Sequence, residues 1–203
     1  MKKTILLLYI ILAVSLTGCG NKVTEQATTE TPTTTEVTTE EVTTEAAEEK
    51  AIKNLKEFID YAEKFNNSFK DAYDLEIKVW NNCTDQKKSD DTDPYTMDSN
   101  GKFYDNSYDA LNRLWNSQDF IGMHSIYENY LSGEKTAYNA TMKCKDADLI
   151  SSLEDKITEI YTLSNSQMSY EGETFNIIEY SVNINDNYNT IKENIEFIKN
   201  KLN

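Results

Sequence analysis

The sequence predicts an all-α protein, an up-and-down bundle of four or five helices with long first and last helices. Two observations support this fold class. Apolar residues recur at spacings of three and four over most of the chain after residue 50, which is the period of an amphipathic helix. No alternating apolar run of strand length lies between turn signals, and Pro94 is the one proline in this part of the chain.

The last predicted helix, residues 175–202, has the most regular pattern. Its apolar positions are spaced alternately by four and three, which predicts a helix packed along a narrow seam. With Ser181 in register, the seam consists of Ile177, Ile184, Tyr188, Ile191, Ile195, Ile198 and Leu202. We expect the seam to lie in the core and Asn194 to lie outside it.

The other predicted helices differ in length. The first has a wider apolar stripe from Ile52 to Trp80, as expected for a helix that faces two neighbours. A second clear helix is predicted over residues 146–164. Between them the pattern predicts shorter helices over 105–116, 119–131 and 137–144. The dipeptide Ser132-Gly133 is interpreted as a helix stop.

The N-terminus carries an export signal. Lys2 and Lys3 precede an apolar run from Ile5 to Leu16, which is too short to span a bilayer and fits a signal peptide. The run ends in Leu16-Thr17-Gly18-Cys19.

These four residues resemble the lipobox of bacterial lipoproteins, in which an aliphatic residue and two small residues precede an obligatory cysteine. The resemblance covers only the first twenty residues. It implies cleavage after Gly18, a diacylglycerol on the Cys19 sulfur, and a location on the outer face of the cytoplasmic membrane. A protein needs two acyl chains for durable anchoring, because one chain binds only marginally.

A Thr/Glu-rich segment follows the cysteine. The triplet Thr-Thr-Glu begins at residues 28, 34, 38 and 43, and such a composition cannot bury enough apolar surface to fold. We therefore predict a signal peptide over 1–18, a lipidated and disordered tether over 19–50, and one helical domain over 51–203. A weak helix over 46–49 that continues into the first long helix is the alternative for the end of the tether.

The chain carries a net charge of −15. This charge disfavours nucleic acid, whose binding depends on Lys and Arg, and it disfavours a domain that lies flat on anionic lipid. The predicted membrane contact is therefore the lipid anchor alone.

The acidic loop 81–103 is a candidate cation site. Asp98-Ser99-Asn100-Gly101 resembles the centre of an EF-hand loop, but Thr96 and Ser107 occupy its first and last ligand positions, where carboxylates are expected. We interpret the loop as a solvated, turn-rich segment and predict no metal and no cofactor. The sequence leaves open whether the loop binds a cation.

Aromatic residues are concentrated between residues 103 and 138. They suit a binding face, because they combine a large contact area with a polar group. They also suit a bundle core, and their helical spacing favours the core. The residues predicted for the binding face are Tyr104, Tyr108, Trp115, Tyr127 and Tyr130.

Cys83 and Cys144 are the two cysteines of the predicted domain. Because the chain is exported and disulfides persist outside the cytoplasm, we expect them to form a disulfide. Two unpaired cysteines are the alternative.

Catalytic signals are weak. His124 is the single histidine, and the sequence contains no zinc-protease, nucleophile-elbow or phosphate-loop motif. We therefore expect a non-catalytic, membrane-anchored binding or interaction domain with a cell-wall, peptide or protein partner. The alternative is an envelope hydrolase that uses two carboxylates across a cleft.

Overall fold

The computed structural model describes residues 44–169 and 177–203. The predicted signal peptide, Cys19 and the tether as far as residue 43 lie outside the described residues. The helices are α1 (Thr44–Thr84), α2 (Asp93–Thr96), α3 (Ser107–Trp115), α4 (Gln118–Met142), α5 (Asp148–Ser169) and α6 (Ile177–Leu202). This part of the chain is 83% helical and contains no β-strand, which confirms the all-α fold class.

The four long helices α1, α4, α5 and α6 run up, down, up and down. The amide of Asn54, near the start of α1, donates to the carbonyl of Ala140, near the end of α4 (3.2 Å), so these two helices are antiparallel. The rings of Tyr138 and Tyr161 stack between α4 and α5 at 4.1 Å. Antiparallel α6 returns along α1, and Tyr73 near the end of α1 donates to Ser181 near the start of α6 (2.7 Å).

The buried apolar residues form two clusters along the bundle. The first lies around the N-terminal half of α1, from Ala51 to Ala62, with α5 and the second half of α6. The second lies around the C-terminal half of α1, from Phe65 to Cys83, with α3 and the first half of α4. Burial of such side chains is the main stabilising contribution to the fold.

Helix α1 begins earlier than the predicted domain. The composition of residues 44–49 predicts that they belong to the tether, but they are the first residues of α1. The alternative, a helix over 46–49 that continues into the first long helix, agrees with the structure. The side chains of Glu45 and Ala46 are exposed, and Ala51 is the first buried residue. Helix α1 is thus about 60 Å long at 1.5 Å per residue.

The predicted helix stop at Gly133 is wrong. Helix α4 continues through Gly133 to Met142, and its N-cap is Ser117, whose side chain accepts from the amide of Phe120. A Cβ atom at Gly133 would lie 2.3 Å from Cε1 of Tyr61. The glycine therefore allows the Tyr61 ring of α1 to lie against the backbone of α4, and it does not end the helix.

The predicted seam of α6 is confirmed at its centre, since Ile184, Ile191, Ile195 and Ile198 are all at most 2% exposed. The expectation for Asn194 is wrong, because its side chain is 4% exposed. Its amide donates to Glu159 of α5 (2.8 Å).

Among the described helices, none is both long enough and apolar enough to cross a membrane.

Candidate functional site

The segment between α1 and α4 forms a compact unit at the C-terminal end of α1. It consists of α2, a tight turn closed by a bridge between Met97 and Phe103, and α3. Gly101 has a φ of +75°, a conformation that glycine adopts without strain. Asn106 caps α3 by accepting from the amide of Tyr108 (3.0 Å). We call this unit, residues 93–115, the cap.

Three of the predicted binding residues, Tyr104, Tyr108 and Trp115, lie within the cap. The side chain of Tyr108 is 41% exposed, and its ring meets the edge of Trp80 of α1 at 4.9 Å between centroids. The guanidinium of Arg113 lies 5.6 Å from the centre of the Tyr104 ring, within the range of a cation–π contact. Tyr104, Tyr108 and Arg113 form what we call the aromatic surface of the cap.

Trp115 has a structural role that its sequence position did not reveal. Its indole Nε1 donates to Oε1 of the buried Glu76 (2.6 Å), while the hydroxyl of Tyr180 donates to Oε2 (2.9 Å). Glu76 thus links α1, α3 and α6. Sequence spacing offers one signal for this residue, because Glu76 lies on the apolar stripe of α1, four residues after Ala72.

The two remaining predicted residues lie on α4, outside the cap. Tyr127 is fully buried, and its ring contacts Phe69 of α1 in an edge-on geometry at 5.3 Å. Tyr130 packs against the second core cluster, on the turn of α4 after Tyr127. For Tyr127 the alternative of core packing is therefore correct, because its position faces α1.

Three acidic residues of the loop 81–103, namely Asp91, Asp93 and Asp98, form hydrogen bonds within the loop or with α1. Asp91 pairs with Lys78, and this hydrogen bond lowers the pKa of Asp91. Oδ1 of Asp93 accepts from the amide of Ser89 (2.8 Å). Oδ1 of Asp98 accepts from the amides of Asn100 and Lys102, which lowers the pKa of Asp98. These carboxylates stabilise turns and do not converge on one point.

The predicted disulfide is wrong, since Cys83 and Cys144 are both free. Sγ of Cys144 lies 3.5 Å from the amide nitrogen of Asn54. Cys83 lies in the same helix as Asn54 but 29 residues further along, which is about 43 Å. A disulfide requires Cα atoms within about 7 Å.

A buried polar layer separates the two apolar clusters. It consists of Asn66 on α1, Glu134 on α4, and Ser164 and Gln167 on α5, all at most 3% exposed. Burial raises the pKa of Glu134 to about 8, although the hydroxyl of Ser164 favours the ionised form. Neither the amphipathic pattern of α4 nor any motif distinguishes Glu134 from the other acidic residues, so the sequence did not reveal it.

His124, the single histidine, is a surface residue of α4. Its Nδ1 lies 3.4 Å from the carboxylate of Glu128 one turn later, and its ring lies against that of Tyr127. The described residues contain no group of three His, Cys, Asp or Glu side chains that would hold a metal ion.

Comparison with known proteins adds no relative to this description. No family model, curated protein or solved structure matches the chain. The fold and the cap are therefore the basis for any functional inference.

Proposed function

We propose that the protein is an extracytoplasmic lipoprotein that presents a non-catalytic helical interaction domain away from the membrane. The anchor in this proposal is Cys19, the residue directly after the predicted signal peptide. The observation that carries the interaction role is the cap, which places the exposed Tyr108 ring, the partly buried Tyr104 ring and the exposed Arg113 guanidinium at the end of the bundle opposite the start of α1.

The length of α1 separates the N-terminal end of the bundle from the cap. The tether joins the bundle at Thr44, and the cap packs on the other end of α1, about 60 Å away along the helix axis. The aromatic surface of the cap therefore lies at the end of the bundle remote from Thr44, where the described part of the chain begins.

The chemistry of the cap favours a polar partner with exposed apolar groups, such as a peptide, a protein loop or a glycan. Tyr, Trp and Arg are the residues that most often dominate binding energy at interfaces. Tyrosine supplies both a flat apolar ring and a hydroxyl. The arrangement of Tyr104, Tyr108 and Arg113 combines these features on one surface.

A binding experiment tests the interaction role. A Cys19→Ala chain, released without its lipid, would be immobilised and exposed to cell-wall fractions, peptides and culture proteins. We expect retained material with the unaltered cap and a clear loss with Tyr108→Ala. Phe197→Ala is the matched control, because Phe197 is a similarly exposed aromatic residue (46%) on α6. Equal retention by both variants would exclude the cap as the binding surface.

A labelling experiment tests the anchor independently. Cells grown with a fatty-acid analogue should label the wild-type protein and fail to label Cys19→Ala. Labelling of both forms to the same extent would contradict lipidation at Cys19.

The alternative of an acid-dependent hydrolase requires an accessible carboxylic acid with a raised pKa. Glu134 has a raised pKa, but its side chain is fully enclosed and no substrate reaches it in this conformation. We therefore favour the interaction role.

A further inference from the structure

The four residues of the polar layer lie along the boundary between the two apolar clusters of the bundle. On α1, Asn66 directly follows Phe65 of the second cluster, and on α4, Glu134 lies between Tyr127 and Ala137. On α5, Ser164 and Gln167 follow Ile160, the last buried residue of the first cluster in that helix. The layer is therefore where the two apolar clusters meet.

Several polar atoms of the layer have no hydrogen-bond partner among the described residues. They are Oδ1 of Asn66, both carboxylate oxygens of Glu134, and Oε1 and Nε2 of Gln167. The hydroxyl of Ser164 faces Glu134, but it donates its single proton to the carbonyl of Ile160 (2.9 Å). Buried polar groups are usually bonded, and an unpaired group costs about 1–3 kcal/mol of desolvation.

No charged group among the described residues compensates Glu134. Burial raises the pKa of Glu134, the Ser164 hydroxyl acts in the opposite direction and lowers it, and no cation contributes. The titratable groups on the neighbouring turns of the packed helices are mostly phenols, namely Tyr61 of α1, Tyr130 and Tyr138 of α4 and Tyr161 of α5, with Lys64 of α1 paired to Asp60 at the surface.

We propose that the polar layer is a proton-controlled device in the bundle: with Glu134 neutral, α4 and α5 pack closed around the layer, and with Glu134 ionised, the layer takes up water and the α4–α5 interface opens. The proposal goes beyond the interaction role and does not depend on it. On ionisation, the carboxyl group of Glu134 releases one proton to solvent. The resulting carboxylate then accepts hydrogen bonds from the water that enters the layer.

Asn66 is the residue of the polar layer that lines a surface groove. It lines a groove of about 230 Å³ between α1 and α6, together with Glu63, Tyr188 and Lys192. The side-chain nitrogen of Asn66 donates to the carbonyl of Tyr188 (3.0 Å), while the side-chain oxygen has no hydrogen-bond partner among the described residues. Water that enters from this groove would meet the layer at Asn66 first.

Hydrogen exchange of the full-length Cys19→Ala chain tests the device. Protection of amides in residues 130–138 and 160–168 would be measured at pH 6 and pH 9, after correction for the pH dependence of intrinsic exchange. In the chain that keeps Glu134, protection should fall at least about tenfold from pH 6 to pH 9. Glu134 is almost entirely protonated at pH 6. At pH 9, one unit above its pKa of about 8, its ionised form exceeds the protonated form about tenfold.

Two variants decide the outcome. Glu134→Gln should show equal protection at both pH values, while Glu154→Gln, which removes the same charge from the exposed face of α5, should behave like the parent chain. An equal loss of protection in all three chains, or no loss in the parent chain, would overturn the proposal.

A second measurement does not depend on folding of the Gln variant. Infrared spectra of the parent chain at pH 6 should contain the carbonyl band of a protonated, buried carboxylic acid, and this band should disappear as the pH rises past 8. Absence of the band at pH 6 would equally overturn the proposal.

Discussion

Gly133 shows how a single missing Cβ atom positions two helices. The ring of Tyr61 occupies the space that a side chain at 133 would need, with Cε1 at 2.3 Å from the ideal Cβ position. A glycine in a helix costs about 1 kcal/mol relative to alanine, so its presence inside α4 is explained by this close contact.

We predict that Gly133→Ala destabilises the protein by about 1–3 kcal/mol, because the Tyr61 ring or the α4 backbone must move. Gly122→Ala, in the same helix and with nothing within 4 Å of its Cβ position, should stabilise by roughly 0.5–1 kcal/mol. Urea unfolding followed by circular dichroism measures both. If Tyr61→Ala does not reduce the cost of Gly133→Ala in the double variant, the contact is not its cause.

Glu134 also affects how the free energy of unfolding depends on pH. Its pKa rises from 4.5 to about 8 on folding, so the folded state binds the proton more tightly than the unfolded state. The stability that Glu134 contributes is therefore fully present below about pH 4.5 and is lost as the pH rises toward 8, with a slope near 1.4 kcal/mol per unit.

We predict that Glu134→Gln increases the free energy of unfolding by roughly 2–4 kcal/mol at pH 7 and flattens its pH dependence between 5 and 8. Chemical denaturation at several pH values is the measurement. Glu154→Gln should retain the slope of the wild type, and a wild-type slope that persists in Glu134→Gln would contradict the assignment.

At the scale of the element, α6 shows which part of a helical seam the apolar pattern predicts. The isoleucine spacing located the buried face correctly, since four isoleucines of the seam are buried. The pattern missed Asn194, because an amide that bonds a neighbouring helix can occupy a buried position beside the seam. The bond from Asn194 also lowers the pKa of Glu159.

We predict that Ile191→Ala lowers stability by about 2–5 kcal/mol through the cavity that it leaves. Asn194→Ala should cost about 1 kcal/mol, because it removes the hydrogen bond to Glu159. The exposed Glu193 between them provides the control, and Glu193→Ala should change stability by less than about 0.5 kcal/mol. Equal effects at all three positions would show that α6 packs on a different face.

At the scale of the whole molecule, the length of α1 keeps the two cysteines of the bundle apart. Cys83 belongs to the second apolar cluster, and Cys144 packs against the first. The prediction of a disulfide assumed that helix ends meet, but these two ends lie at opposite ends of the bundle.

We predict two free thiols in the Cys19→Ala chain, with faster native alkylation at Cys144 than at Cys83, whose side chain is 3% exposed. Mass spectrometry after alkylation under native and denaturing conditions gives both results. A melting temperature that falls on addition of a reductant would indicate a disulfide and contradict the structure.

The sequence by itself determined the helical class, the long first and last helices and the buried centre of the α6 seam. These features depend on the period of apolar residues, which is local information. The predicted export signal and the resemblance to a lipobox also depend on a short stretch of sequence, and they stay predictions.

The tertiary structure alone decided the continuity of α4 through Gly133, the separation of Cys83 and Cys144, the burial of Tyr127 and Asn194, and the roles of Glu76 and Glu134. Each depends on which residue of a neighbouring helix lies opposite, and the helical period does not specify that pairing. A glutamate on α4 has the same local signature whether it faces water or the core, but the loss of hydration on burial alters its pKa and its contribution to stability.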